Sequence, residues 1–248
     1  SGGAALDGVA GDDTLTGGSG ADVIDGDAGH DVIDGGDGAD AITGAAGNDV
    51  IDGAAGADTI MGDAGNDVID GGLGADTIDG GGDADTIMGA DGNDIIDGGL
   101  GADTIDGGAD ADVIYGSEGS DTLMGGGGDD TFTGATGDDV IEGGSGSDTA
   151  IFAGNKGDFT FAVAANGTLT VTDTNTETAL GVDTVSGVET LSFDDGVLTV
   201  TTTEGGDVTL TGTGVEDVIT LTGSGGATFE GGAGADTFVG SSGSDHFD

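Results

Sequence analysis

Gly71-Gly72-Leu73-Gly74-Ala75-Asp76-Thr77-Ile78-Asp79 is one copy of a nine-residue phrase that starts at Gly8 and repeats sixteen times, without insertion or deletion, through Asp148-Thr149. The phrase reads Gly-Gly-x-Gly-x-Asp, then a β-branched residue, a large apolar residue and a variable one. An aspartate stands at every ninth position from Asp13 to Asp148, and two residues after it comes an apolar side chain, from Leu15, Ile24 and Ile33 through Phe132 and Ile141. The first position is glycine in all sixteen copies and the fourth in all but two, where Asp83 and Asp110 stand. Glycine at these positions admits the positive φ and close chain approach of a tight turn, and leaves loop carbonyls free to face a ligand.

The triplet after each aspartate, Thr77-Ile78-Asp79 for example, is a minimal strand that alternates outward, inward, outward. So short a strand is stable only when stacked, which makes the chain a solenoid. Two repeats close one coil of eighteen residues, and eight coils at the strand spacing give a rod of roughly 38 Å. One column of aspartates then holds Asp13, Asp31, Asp49, Asp67, Asp85, Asp103, Asp121 and Asp139, and the other Asp22, Asp40, Asp58, Asp76, Asp94, Asp112, Asp130 and Asp148. The fold class expected is all-β: a parallel β-roll, then a small β segment and a second short β-roll.

Ahead of Gly8 the chain is half in register, with Leu6 in the apolar slot and Ala4 where the aspartate belongs. Beyond Ala150 the composition changes: seven of the eight phenylalanines and the one basic residue, Lys156, lie there. Alternation in Asp158–Val163, Thr168–Thr172 and Val188–Phe193 predicts strands, with Asn166-Gly167 and Asp195-Gly196 as hairpin turns. Val215-Glu216-Asp217-Val218-Ile219 is a loose copy of the repeat, Ala227-Thr228-Phe229-Glu230 keeps the strand without the aspartate, and Asp236 and Asp245 sit in two good copies. Three units are expected: 1–153 as the main roll, 154–203 as a β segment covering its end, and 204–248 as a second roll. The opening Ser1-Gly2-Gly3, without Met, reads as a fragment or processed form.

Sixty glycines, fifty acidic residues and a formal charge of −49 would describe a solvated acidic coil were it not for the repeats. A chain so negative holds a compact shape only with positive charge bound to it. The same sign excludes nucleic acid as a partner, and no apolar run is long enough to span a membrane. Cysteine is absent and only His30 and His246 are present, so zinc is a poor fit. Catalytic motifs such as His-Glu-x-x-His or Gly-x-Ser-x-Gly are missing, and the chain reads as a non-enzyme.

Carboxylates one coil apart are about 5 Å from each other, and their repulsion is on the order of 3 kcal/mol per neighbouring pair at an effective dielectric near 20. Stacking therefore calls for cations between successive loops. The donors offered, aspartate and loop carbonyl oxygens on a flexible frame, suit calcium better than magnesium, and seven gaps in each of two columns make about fourteen sites. Binding of this kind is also folding free energy.

The phrase resembles the RTX, or hemolysin-type, calcium-binding nonapeptide, closely over 8–149 and well over 231–248. The stretch from Asp148 through Gly196 is also similar to segments that follow such repeats. The resemblance implies calcium ligation by the sixteen column aspartates and by Asp236 and Asp245. It also implies type I secretion to the exterior or cell surface of a Gram-negative bacterium, and the length, regularity, open ends and missing catalytic groups point to a rod in a surface layer, adhesin or fibre. The alternative it leaves open is the carboxyl-terminal secretion and folding module of a protease, lipase or polysaccharide-modifying enzyme. Open solenoid ends add head-to-tail self-assembly to the expected partners.

Overall fold

Strands alternate between two sheets every nine residues, so each eighteen-residue coil contributes one strand to each. The computed structural model describes residues 2–164, 168–175, 180–202, 207–213, 217–222, 227–240 and 245–247. The Asn166-Gly167 turn, the Val215-Glu216 part of the loose copy and Asp248 lie outside the described residues. Among the described residues one sheet has fourteen strands and the other thirteen. No helix among them is long and apolar enough to cross a membrane.

In the main roll the strands are parallel and the register is one coil. Ile78 pairs with Ile96 in one sheet, and Ile87 with Ile105 in the other. This is the parallel β-roll with eighteen residues per coil that the period predicts. The strands themselves are longer than the predicted triplet: Val68–Leu73 and Thr77–Gly82 run six residues. The extra length comes from the loop. Pairing passes over the first glycine and resumes at the second and third positions, as in Ala90 with Gly72 and Asp91 with Leu73.

Inside the roll the apolar slot of each repeat makes a thin core. Ile24 through Ile141, with Leu123 and Phe132 in the same slot of their repeats, are fully buried, whereas the preceding β-branched residues such as Val23 and Val68 face solvent. Alternation alone explains this, since only the middle residue of each triplet points inward.

Past residue 150 the sheets continue and the strand direction changes. Phe159–Val163, Leu169–Asp173 and Val182–Ser186 form an antiparallel meander in one sheet. Its flanks pair in parallel with Val218–Thr222 on one side and Val140–Ser145 on the other. Thr190–Phe193, Gly196–Thr202 and Val208–Gly212 do the same in the second sheet, between Thr149–Ile151 and Ala227–Glu230. The segment expected to cover the end of the rod thus has strands of both rolls as neighbours. The hairpin expected at Asp195-Gly196 is present with Asp194 and Asp195 as its turn, and Gly196 opens the next strand opposite Phe193. The core widens here as Phe152, Phe159 and Phe161 gather around Phe193, with ring centroids 5.6, 5.3 and 6.1 Å from it. A second stack, Phe229, Phe238 and Phe247, fills the final coils.

Candidate metal centre

Each column aspartate stands just before a strand, where the chain turns in from the glycine loop, and the turn carries its carboxylate inward. Asp22 through Asp148 are buried in both columns, and Asp13 at the start of the roll is half-buried. The two carboxylate oxygens have different surroundings. Oδ1 accepts the main-chain N–H of the aspartate one coil earlier: Asp67 donates to Asp85 and Asp85 to Asp103, both at 2.8 Å. Oδ2 is buried with no hydrogen-bond partner in every column aspartate from Asp13 to Asp148. A buried, unpartnered carboxylate oxygen is costly, and sixteen in register require a common remedy.

The first glycine of the loop makes room for that oxygen. A Cβ built on Gly80 would lie 2.6 Å from Asp85 Oδ2 and 2.7 Å from the Gly98 carbonyl oxygen of the next coil. On Gly71 the same atom would lie 2.8 Å from Asp76 Oδ2 and 3.0 Å from the Gly89 carbonyl oxygen. Carboxylate and carbonyl oxygens therefore converge on a space that any side chain at the first position would fill. Positive φ, expected at the first and fourth positions, belongs instead to the second and fourth. All sixteen second positions have it, including Val9, Asp27, Ala90 and Ala135. Asp83 and Asp110, which replace the fourth glycine, keep positive φ at 76° and 74°. The path of their loops is thus retained.

Burial pushes the column carboxyls from Asp49 to Asp148 up. For Asp85 burial is the largest cause; the hydrogen bond from Asp67 N–H opposes it, while the charges of Asp67, Asp103 and Asp83 reinforce it, and the result is about 7. Asp112 and Asp121 also reach about 7, and Asp67 and Asp76 about 6, with burial again first. Carboxyls raised by burial with only like charges beside them are ones whose negative charge has no partner.

The donor set fits calcium. Among the described residues no three acidic, histidine or cysteine side chains converge on one point. A tetrahedral nitrogen–sulfur site is therefore not built here. What the loops offer is carboxylate oxygen plus main-chain carbonyl oxygen on a glycine frame, the hard, all-oxygen environment that calcium accepts at variable geometry. The aspartates that would hold it are the sixteen of the two columns.

Sequence reading missed two acids that continue these columns. Asp183 is buried and its Oδ1 accepts Asp139 N–H at 3.0 Å; burial is again the first cause of a rise to about 7. The signal was half a repeat, Gly181-Val182-Asp183-Thr184-Val185, hidden by its position inside the non-repeat segment. Glu189 Oε2 accepts Asp148 N–H at 2.9 Å, and its longer side chain disguised the match. The second roll is less regular. Asp217 N–H donates to Asp236 Oδ1 at 3.0 Å, yet Asp236 and Asp245 are only half-buried. At the first coil Ala4 has no carboxylate, and its N–H still donates to Asp22 Oδ1.

Comparison with known families agrees with this geometry. The family model for the RTX calcium-binding nonapeptide repeat matches in overlapping windows from residue 7 to residue 150 and again over 221–248, more than half of the chain. No curated protein matches it. The chain belongs to the RTX calcium-binding nonapeptide repeat family, and its roll is a calcium-binding structural module.

Proposed function

We propose that this member of the RTX repeat family is a calcium-set rod of a secreted or cell-surface protein, serving in a surface layer, an adhesin or an extracellular fibre. The observation that carries the reading is the pair of columns in which every Oδ2 from Asp13 to Asp148 is buried without a partner. Asp13 through Asp148 are the proposed ligands of about fourteen ions. Asp183 and Glu189 extend each column by one coil, and Asp236 and Asp245 serve the second roll. The chain positions the donors, excludes water from behind them and orders the loops. Bound calcium supplies the positive charge that lets carboxylates stack.

Export through a type I channel before folding, followed by folding in calcium-rich surroundings, fits extracellular sites with dissociation constants of about 10⁻⁴ to 10⁻³ M. Far-ultraviolet circular dichroism with 10 mM calcium and with EGTA tests the central claim: strand signal appears with calcium and vanishes with chelator. Strand signal unchanged by chelator at neutral pH refutes it. Equilibrium dialysis counts the ions, and Asp183→Asn or Glu189→Gln each removes about one.

Three folding units, 1–153, 154–203 and 204–248, belong to the same proposal and predict calcium-protected cleavage boundaries in limited proteolysis. Head-to-tail assembly is its last part. Calcium-dependent filaments or sheets in electron micrographs support assembly, and a strict monomer at high calcium and protein concentration argues against it.

A further inference from the structure

Lys156 is the single lysine or arginine of a chain with fifty acidic residues, and it is completely buried. Its Nζ lies 3.2 Å from Asp217 Oδ1 and 3.4 Å from Asp195 Oδ1, and it donates a hydrogen bond to the Asp195 carbonyl oxygen at 3.1 Å. The Lys156 N–H also donates to Asp195 Oδ1 at 2.9 Å, which ties the segment to the Asp194-Asp195 hairpin. The ammonium thus sits among two carboxylates and one main-chain carbonyl.

Asp217 has the burial and the glycine cradle of a column aspartate. It is fully buried, and a Cβ built on Gly212 would meet its Oδ2 and lie 3.1 Å from the Gly231 carbonyl oxygen, the same cradle as at Gly80. Its N–H feeds the next acid of its column, Asp236. What differs is the coil beneath. Thr160 pairs with Thr220, so the chain below Asp217 is Lys156-Gly157, which is not a repeat. Both carboxylate oxygens of Asp217 lack a hydrogen bond, whereas in the main columns Oδ1 accepts a main-chain N–H. The charge that faces Oδ1 comes from Lys156.

We infer that the Lys156 ammonium is a covalently tethered cation standing in for a metal ion at the foot of the second roll. The seam between Phe159–Val163 and Val218–Thr222 is then neutralised by the chain itself and folds without calcium. It provides a preformed coil on which the calcium-dependent repeats at Asp236 and Asp245 stack. The inference rests on the reading that stacked carboxylates need a cation, and adds that one position carries its own.

Hydrogen-exchange mass spectrometry of the full chain in EGTA at pH 7.5 tests it. Phe159–Val163 and Val218–Thr222 should stay protected while Val68–Leu73 and Thr77–Gly82 exchange freely. Lys156→Met should lower protection of the seam about a hundred-fold or more, because it strands a buried carboxylate. The double variant Lys156→Met with Asp217→Asn should recover a large part of that loss, which a purely packing role for Lys156 does not predict. An unprotected seam in the wild-type chain, or a double variant no better than Lys156→Met, overturns the inference. The strands at 68–73 and 77–82 report separately on the calcium dependence of the main roll, so the two readings fail independently.

Discussion

Asp85→Asn separates the two tasks of a column carboxylate. Oδ1 of Asp85 accepts Asp67 N–H at 2.8 Å, and an amide oxygen can keep that bond. Oδ2 is the buried, unpartnered atom offered to an ion. With Asp67 and Asp103 as column neighbours, the side chain borders a gap on each side, so its loss as a ligand weakens two sites. At 10 mM calcium and dissociation constants of about 10⁻⁴ to 10⁻³ M, each bound ion adds about 1.4 to 2.7 kcal/mol. The substitution should therefore cost about 3 to 5 kcal/mol in calcium, read as a fall in the urea midpoint followed by circular dichroism. Chelator at pH 4 gives the contrast. Burial holds Asp85 up at about 7, so its own carboxyl is protonated there and the substitution replaces one neutral acceptor by another. The expected change is within about 1 kcal/mol. Equal losses under the two conditions would mean that Asp85 acts only as a hydrogen-bond acceptor, and would refute ligation.

Three further outcomes follow from the same geometry. Carboxyls raised to about 6 at Asp67 and Asp76, and about 7 at Asp85, Asp112 and Asp121, favour the folded state when protonated. In EGTA that stability is fully present below about pH 4 and lost as pH rises through about 7, so a pH titration by circular dichroism should show strand structure growing on acidification. Gly80→Ala places a methyl 2.6 Å from Asp85 Oδ2 and should raise the calcium midpoint of folding several-fold, whereas Gly82→Ala, whose Cβ would meet nothing nearer than the Asp63 carbonyl oxygen at 3.8 Å, should leave it unchanged. Ala90 holds φ at 76°, so Ala90→Gly should stabilise the calcium-loaded roll by about 1 kcal/mol in urea denaturation, and destabilisation would contradict the strained turn.

The main roll was legible because its two signals have different physical origins that coincide every nine residues. Ile78 is buried by alternation, and Asp76 is fixed by what it must face. Neither needs tertiary information beyond stacking. The strain at the second loop position was not legible: Val9, Asp27 and Ala90 occupy it with positive φ, although a Cβ built on Gly72 at the same position would lie 2.2 Å from the Ala54 carbonyl oxygen. At the first glycine a Cβ would meet the column carboxylate itself, 2.6 Å from Asp85 Oδ2 at Gly80, and the position is glycine in all sixteen copies. Asp183 and Glu189 escaped because they enter the columns from a segment with antiparallel strand pairs, a change of direction that no local pattern around Gly181 or Val188 announces. For Lys156 the sequence shows only that it is the single basic residue, and the fold brings Asp217 and Asp195, 61 and 39 residues away in sequence, around it.

The division of labour within each carboxylate explains why the fold can be conditional. Had both oxygens of Asp85 been satisfied by main-chain N–H groups, the columns would be a permanent hydrogen-bonded ladder. Had neither been, the loops would have no register before a cation arrived. One oxygen is taken by the chain, as in Asp67 N–H to Asp85 Oδ1, and one is left over. The ladder fixes where the remaining oxygens stand, and their mutual repulsion keeps the stack from closing at neutral pH without positive charge. Protonation can relieve that repulsion but supplies no ligand bonds, so acid should give a looser roll than calcium does. Slower hydrogen exchange at Ile78 and Ile87 in calcium than in acidic chelator, after correction for the intrinsic pH dependence of exchange, is the result this argument requires. Equal protection would mean that charge relief alone, without coordination, sets the fold.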